Sequence, residues 1–162
     1  MKLARAVQTA VLLFALTGVL PAGPVAAQSG PASFERDDLV IETADGQRHG
    51  FRIEIALSPK QQQQGLMFRR ELAADAGMLF IYRPLRVISM WMRNTIIPLD
   101  MLFVAEDGVI VKIVERTVPL SLASISSDQR VRAVLELKGG TVERLNLAPG
   151  DRVSYRAFEP KP

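Results

Sequence analysis

Alternation of apolar and other side chains from Phe51 to Leu57 is the feature that most narrows the possible folds. Phe51, Ile53, Ile55 and Leu57 recur at every second position, with Arg52, Glu54 and Ala56 between them. In an extended chain successive side chains point to opposite faces, so this spacing turns one apolar row toward a core. A helix would scatter the same residues around its axis. Leu39 to Thr43 precedes the run, and Asp45-Gly46 supplies the residue types that a tight hairpin turn needs. Leu99 to Ala105 and Val109 to Val114 repeat the arrangement around Asp107-Gly108. Val131 to Leu137 and Arg152 to Phe158 complete a set of roughly seven or eight short strands, spaced as in sandwiches and barrels.

Two short helices interrupt the strands. Ser58-Pro59-Lys60-Gln61 has capping-box spacing with proline at the first helical position, and the helix it starts is expected to stop near Gly65. A second helical turn is expected at Thr141 to Asn146, before Pro149-Gly150-Asp151. The glutamine run from Gln61 to Gln64 is too short to count as low complexity. The sum is a mainly β, antiparallel domain with small helical additions.

The front of the chain reads as a secretory signal. Lys2 and Arg5 form a positive start, Ala6 to Leu20 is largely apolar, and Val25-Ala26-Ala27 offers the small residues that a signal peptidase reads. Cleavage is expected after Ala27, which gives an exported protein, periplasmic or extracellular. An uncleaved anchor is the alternative, but Pro, Gly and Thr dilute the stretch below what a membrane span wants, so no stable membrane insertion is expected once the signal is removed. Residues 28–37 read as a polar tether, 38–158 as one β domain, and 159–162 as a short tail.

Removing 27 of the 162 residues leaves 135, enough for one core without covalent staples. The chain has no cysteine. That excludes thiol catalysis, cysteine-built zinc sites and a lipid anchor on cysteine. The signal holds two of the 20 basic residues and none of the 17 acidic ones, so the remainder carries 18 against 17. A nucleic-acid partner would leave a strong basic excess; none remains.

Gly65-Leu66-Met67-Phe68-Arg69, Gly77-Met78-Leu79-Phe80, Trp91-Met92-Arg93-Asn94-Thr95 and Pro98-Leu99-Asp100 form a series of distinctive order, continued by Val134-Leu135-Glu136-Leu137, Gly140 and Gly150-Asp151. The series resembles family 192 of the domains of unknown function, small exported or free-standing proteins of bacteria and archaea, over residues 38 to 157. The resemblance implies a single-domain antiparallel β-sandwich of jelly-roll-like character, in agreement with the strand count, and brings no activity with it. Lys138-Gly139 departs from the proline-alanine pair that relatives tend to carry at that turn.

The segment from Met90 to Asp100 is the most suggestive for function. Trp91 is a possible stacking platform, with Arg93 and Asn94 as hydrogen-bonding groups; the competing reading makes Trp91 core and Asn94-Thr95 a turn cap. Asp100 lies among Pro98, Leu99, Met101 and Leu102, and Glu136 faces away from Leu135 and Leu137. Each is either a general base in a pocket or one half of a structural salt bridge, with Arg69, Arg93 or Arg132 as partners of Asp100; the salt bridge is the expectation for both. Five arginines between Arg69 and Arg93 would favour an anionic ligand if they converged. Five methionines between Met67 and Met101 invite a Cu(I) site, although methionine is also a common core filler. His49 is the single histidine and cannot build a histidine metal site, and no catalytic set or cofactor motif stands out.

The expected function is a non-catalytic ligand-binding or accessory module of the periplasm or cell envelope, with a small-molecule or carbohydrate ligand. Its site is placed at Trp91, Arg93, Asn94 and Asp100, supported by Arg69 and Glu136, with no metal ligands, cofactor or catalytic residues assigned. A small envelope enzyme acting through Asp100 or Glu136 and a methionine-based Cu(I) handler are the alternatives.

Overall fold

The computed structural model describes Gly30 and residues 32–159. The signal read over residues 1–27, positions 28, 29 and 31 of the tether, and residues 160–162 of the tail lie outside the described residues. Chain order is β1 (Glu35–Glu42), β2 (Arg48–Ala56), α1 (Pro59–Gln64), β3 (Ala76–Met90), β4 (Leu99–Val104), β5 (Ile110–Val114), β6 (Ile125–Lys138), α2 (Thr141–Leu145) and β7 (Arg152–Ser154). The strand β1 begins within the stretch read as a tether. Among the described residues no helix is long and apolar enough to cross a membrane.

Local signals act as the residues dictate. Gly46 takes the left-handed turn between β1 and β2 at φ 85°, and its N–H donates to the Thr43 carbonyl. The Ser58 hydroxyl accepts from the Gln61 N–H while the Gln61 side chain accepts from the Ser58 N–H, so both halves of the capping box form. The helix ends at Gly65, whose φ of 46° lets the chain turn beneath the Phe80 ring; a Cβ there would sit 3.1 Å from that ring.

The seven strands form one sheet in the order β5-β4-β6-β3-β2-β1-β7. It does not divide into the two facing sheets of a sandwich or jelly roll. It curls until its ends nearly meet, making an almost closed barrel. Val109 bridges Arg152, the Ile110 N–H donates to the Asp151 carbonyl and the Val153 N–H to the Gly108 carbonyl, each bond at 2.8 Å. The all-antiparallel expectation is also corrected: β2 and β3 run parallel, because the connection through α1 carries the chain back before it re-enters the sheet. The run from Arg152 to Phe158 is strand only to Ser154, after which the chain folds into a turn with Phe158 N–H bonded to the Tyr155 carbonyl.

Strand β3 is the element least apparent from periodicity. From Gly77 to Tyr82 it is buried on both faces, so the chain reads as an unbroken apolar run. Leu79 and Ile81 join Ile53, Leu102, Leu135 and Leu137 in one core. Met78, Phe80 and Tyr82 face the other way and join Leu66, Leu72, Met92, Met101, Phe103 and Val134 in a second core. Gly77 permits β3 to lie close to β6, since a Cβ on it would meet the Glu136 carbonyl at 2.7 Å. In the register, Met78 and Met101 flank Glu136 on either side. Glu136 thus belongs to the row of the second core.

A groove beside the second core

A groove of about 440 Å³ opens at the edge of the second core. One wall is the end of α1 and the turn after it, from Gln62 to Met67; the other is β3 from Arg86 to Met90, continuing to Trp91. Phe80, Tyr82 and Glu136 line it from the sheet. The glutamine run is what holds the first wall in place. Gln62 donates to the Ile81 carbonyl at 2.8 Å, Gln61 to the Ser33 carbonyl at 2.8 Å, and Gln64 accepts from the Ala32 N–H at 2.7 Å. Nothing in a four-residue polar run announces this role.

Glu136 is the anomaly of the site. It is 4% exposed, and none of the described residues donates a hydrogen bond to its carboxyl group or pairs with it. Burial alone pushes its pKa up to about 8, because a carboxylate deprived of water and of counter-charge favours its neutral form. Tyr82 beside it is shifted upward too, first by its own burial and then by the charge of Glu136, with Arg86 opposing. The Tyr82 hydroxyl donates to the Met90 sulfur at 3.5 Å, and the Arg86 guanidinium lies 5.0 Å from the Tyr82 ring centre. The salt bridge expected for Glu136 does not form: Arg69 pairs with Glu54, Arg132 with Glu106, and Arg93 stands 5.7 Å over the Trp91 ring.

The other predicted residues divide between groove and scaffold. Trp91 lines the groove and is 47% exposed, so it is a rim residue and not core. Arg93 stacks on its ring, while Asn94 sits in the left-handed region at φ 57°, with its carbonyl accepting from the Phe68 N–H and its amide 3.8 Å from the Met67 sulfur. Asp100 is fully buried, and neither of its expected roles holds. Its two oxygens accept from the backbone N–H groups of Arg116 and Val142, each at 2.8 Å, which ties β4 to the segment after β5 and to the start of α2. Arg69 lines a different groove of about 390 Å³, together with Glu54 and Arg36. Of the five arginines, Arg86 and Arg93 stand beside the groove and Arg69 lies away from it.

Of the methionines, Met78, Met92 and Met101 are core, with the Met92 sulfur accepting from the Thr117 hydroxyl at 3.1 Å. Met67 and Met90 line the groove. Among the described residues no three His, Asp or Glu side chains gather as a metal site.

The result is a small, nearly closed β-barrel in which, among the described residues, Glu136 is the buried acid without a partner and lines a side groove. The chain belongs to family 192 of the domains of unknown function, described as an uncharacterised ACR, whose model matches residues 40–155. A crystal structure from Sinorhizobium meliloti 1021, provisionally described as a transcription regulator, is 47% identical with a TM-score of 0.77, over 79% of this chain and 99% of that one. A protein of unknown function from Novosphingobium aromaticivorans DSM 12444 is 36% identical with a TM-score of 0.72, over 76% and 94%. No curated protein matches.

Proposed function

We propose that the domain is an exported ligand-binding module whose site is the groove between α1 and β3, taking a small organic molecule. The buried, unpartnered carboxyl group of Glu136 carries this reading. Leaving such a group unsatisfied costs stability, and a fold keeps it where something outside the chain satisfies it. Around it stand the features of a small-molecule site: aromatic and thioether walls and one fixed polar group. Half-exposed Trp91 offers a flat face at the mouth. Export is supported by the signal read over residues 1–27, and the near balance of charge in the rest of the chain speaks against a nucleic-acid partner.

Trp91 is the only tryptophan, so its fluorescence reports directly on the groove. A panel of small organic fragments and monosaccharides, screened by that signal and mapped by NMR, should give binders that shift the amides of Gln62 to Met67 and Arg86 to Met90. Trp91→Ala and Glu136→Ala should each weaken those binders at least tenfold while the domain stays folded. Binders that map elsewhere, or that bind both variants unchanged, would reject the groove.

A second reading is catalytic. A carboxyl group with a pKa near 8 can give or take a proton at neutral pH, which suits a general acid or base. Among the described residues Glu136 is the only acid that lines the groove, so a two-carboxylate hydrolysis lacks its partner there. Turnover of a groove-binding ester or amide, lost in Glu136→Gln with binding kept, would establish this reading.

A further inference from the structure

The polar atoms of the groove are unevenly committed. Three of its donors are already engaged: the Tyr82 hydroxyl on the Met90 sulfur, the Gln62 amide on the Ile81 carbonyl, and the Thr95 hydroxyl on the Arg93 carbonyl. The Glu136 carboxylate receives no donor from the described residues, and electron-rich groups line the groove with it: the sulfurs of Met67 and Met90 and the rings of Tyr82 and Trp91. Guanidinium groups lie over both rings, Arg86 at 5.0 Å from the Tyr82 centre and Arg93 at 5.7 Å from that of Trp91, an arrangement that the negative face of an aromatic ring favours. Neither arginine reaches Glu136. Both are exposed, so water screens the repulsion they exert on a second cation inside.

We infer that the groove binds an organic ammonium ion, with Glu136 as its counter-charge and Trp91 and Tyr82 as its aromatic walls. This rests on the groove being the ligand site and names the class of ligand it takes. An ammonium supplies the one interaction that Glu136 lacks, and its alkyl groups lie against thioether and ring surface. The volume of about 440 Å³ suits a small organic cation and far exceeds what a bare metal ion fills.

Binding of a cation should be linked to loss of the Glu136 proton. Tyr82 on β3 is the titratable group beside Glu136, and Arg86 lies beyond it over the Tyr82 ring; β4 presents Met101, and α1 presents glutamines to the groove. Tyr82 is shifted upward and Arg86 is an arginine, so neither changes charge between pH 6 and pH 8. Across that range the ionised fraction of Glu136 falls about tenfold for each unit below its own value, and cation affinity should fall with it.

The experiment titrates the whole chain with choline, whose charge is independent of pH, and with its uncharged carbon isostere 3,3-dimethylbutan-1-ol, following Trp91 fluorescence. Choline should bind at least tenfold more tightly than the isostere at pH 8, and about tenfold more tightly at pH 7 than at pH 6. Glu136→Gln, checked by circular dichroism, should flatten that profile and remove the preference for charge. Equal binding of choline and the isostere, or a flat profile in the unaltered chain, overturns the cation while the groove stands. Stoichiometric Ag(I) binding without choline binding overturns it in favour of a thioether metal site. If nothing binds at Trp91, including the fragments of the wider panel, the ammonium and the groove fall together.

Discussion

Asp100 and Glu136 sit one register step apart on adjacent strands, both buried, and meet that burial in opposite ways. Asp100 is matched by two backbone N–H groups. Removing it in Asp100→Ala would orphan both donors in the interior, and should cost about 3–5 kcal/mol in urea denaturation. Asp151 is built alike, its oxygens accepting from the Ala44 and Ala148 N–H groups at 2.9 and 2.8 Å. Glu136 has no such match, and its effect on stability runs with pH. Its folded pKa of about 8 stands above the ordinary 4.5, so the folded protein holds this proton more tightly than the unfolded chain. The protonated group's contribution is complete below about 4.5 and is lost as pH rises toward 8. Glu136→Gln, neutral at every pH, should therefore be more stable than the parent at pH 9, by on the order of a few kcal/mol, and the gap should close toward pH 4. Thermal unfolding at several pH values would measure it, and an unchanged difference would show that Glu136 has a counter-charge after all.

The short helix α1 is the element on which the groove depends, although it has six residues and buries none of them fully. Propensity alone would not hold so short a helix in water. Its capping box and the side chains of Gln61, Gln62 and Gln64 fasten it to the sheet and to the lead-in of β1. Ser58→Ala should cost about 1 kcal/mol. Gln62→Ala should speed amide exchange in Gln62 to Met67 without a comparable change in β4 or β6. Uniform exchange across the molecule would mean that the wall does not open separately. The capping box was plain in the order Ser58-Pro59-Lys60-Gln61, whereas the anchoring glutamines were not. Ala32 and Ser33 come close through the antiparallel pairing of β1 with β2, and Ile81 through the return of β3 in parallel to β2.

Across the whole molecule, closure of the barrel depends on a seam only a few residues long. Gly108 is central to it, at φ 87°, with the position of a Cβ only 2.6 Å from the Val153 carbonyl. Gly108→Ala would force that seam apart and add left-handed strain, for a loss of about 2–4 kcal/mol; a melting temperature within one degree of the parent would show the seam to be dispensable. The loops beyond the groove carry a different kind of cost. Phe68 and Leu120 are exposed yet held at φ 64° and 62°, a region that bulky side chains rarely occupy. They stand on loops joined by backbone bonds from the Phe68 N–H to the Asn94 carbonyl and from the Leu120 N–H to the Thr95 carbonyl. Phe68→Gly should relieve the strain without removing buried contacts, so its stability should equal or exceed the parent's by up to about 1 kcal/mol. A clear loss would show that the ring packs more than its exposure implies.

What the sequence by itself determined is everything that short-range chemistry can encode. The strand period from Phe51 to Leu57, the Asp45-Gly46 turn, the cap at Ser58, the half-polar setting of Trp91 and the outward side of Glu136 relative to Leu135 and Leu137 all depend on neighbours within a few residues. Tertiary structure alone decided how the sheet closes, that β2 and β3 run parallel, and which buried acid has a partner. Asp100 and Glu136 look alike as acids in apolar runs. Their difference lies in the amides of Arg116 and Val142, 16 and 42 residues from Asp100, which reach one carboxylate and not the other. A folded chain creates that asymmetry by bringing distant donors to one face of a strand, and the groove on the opposite face is what it leaves open.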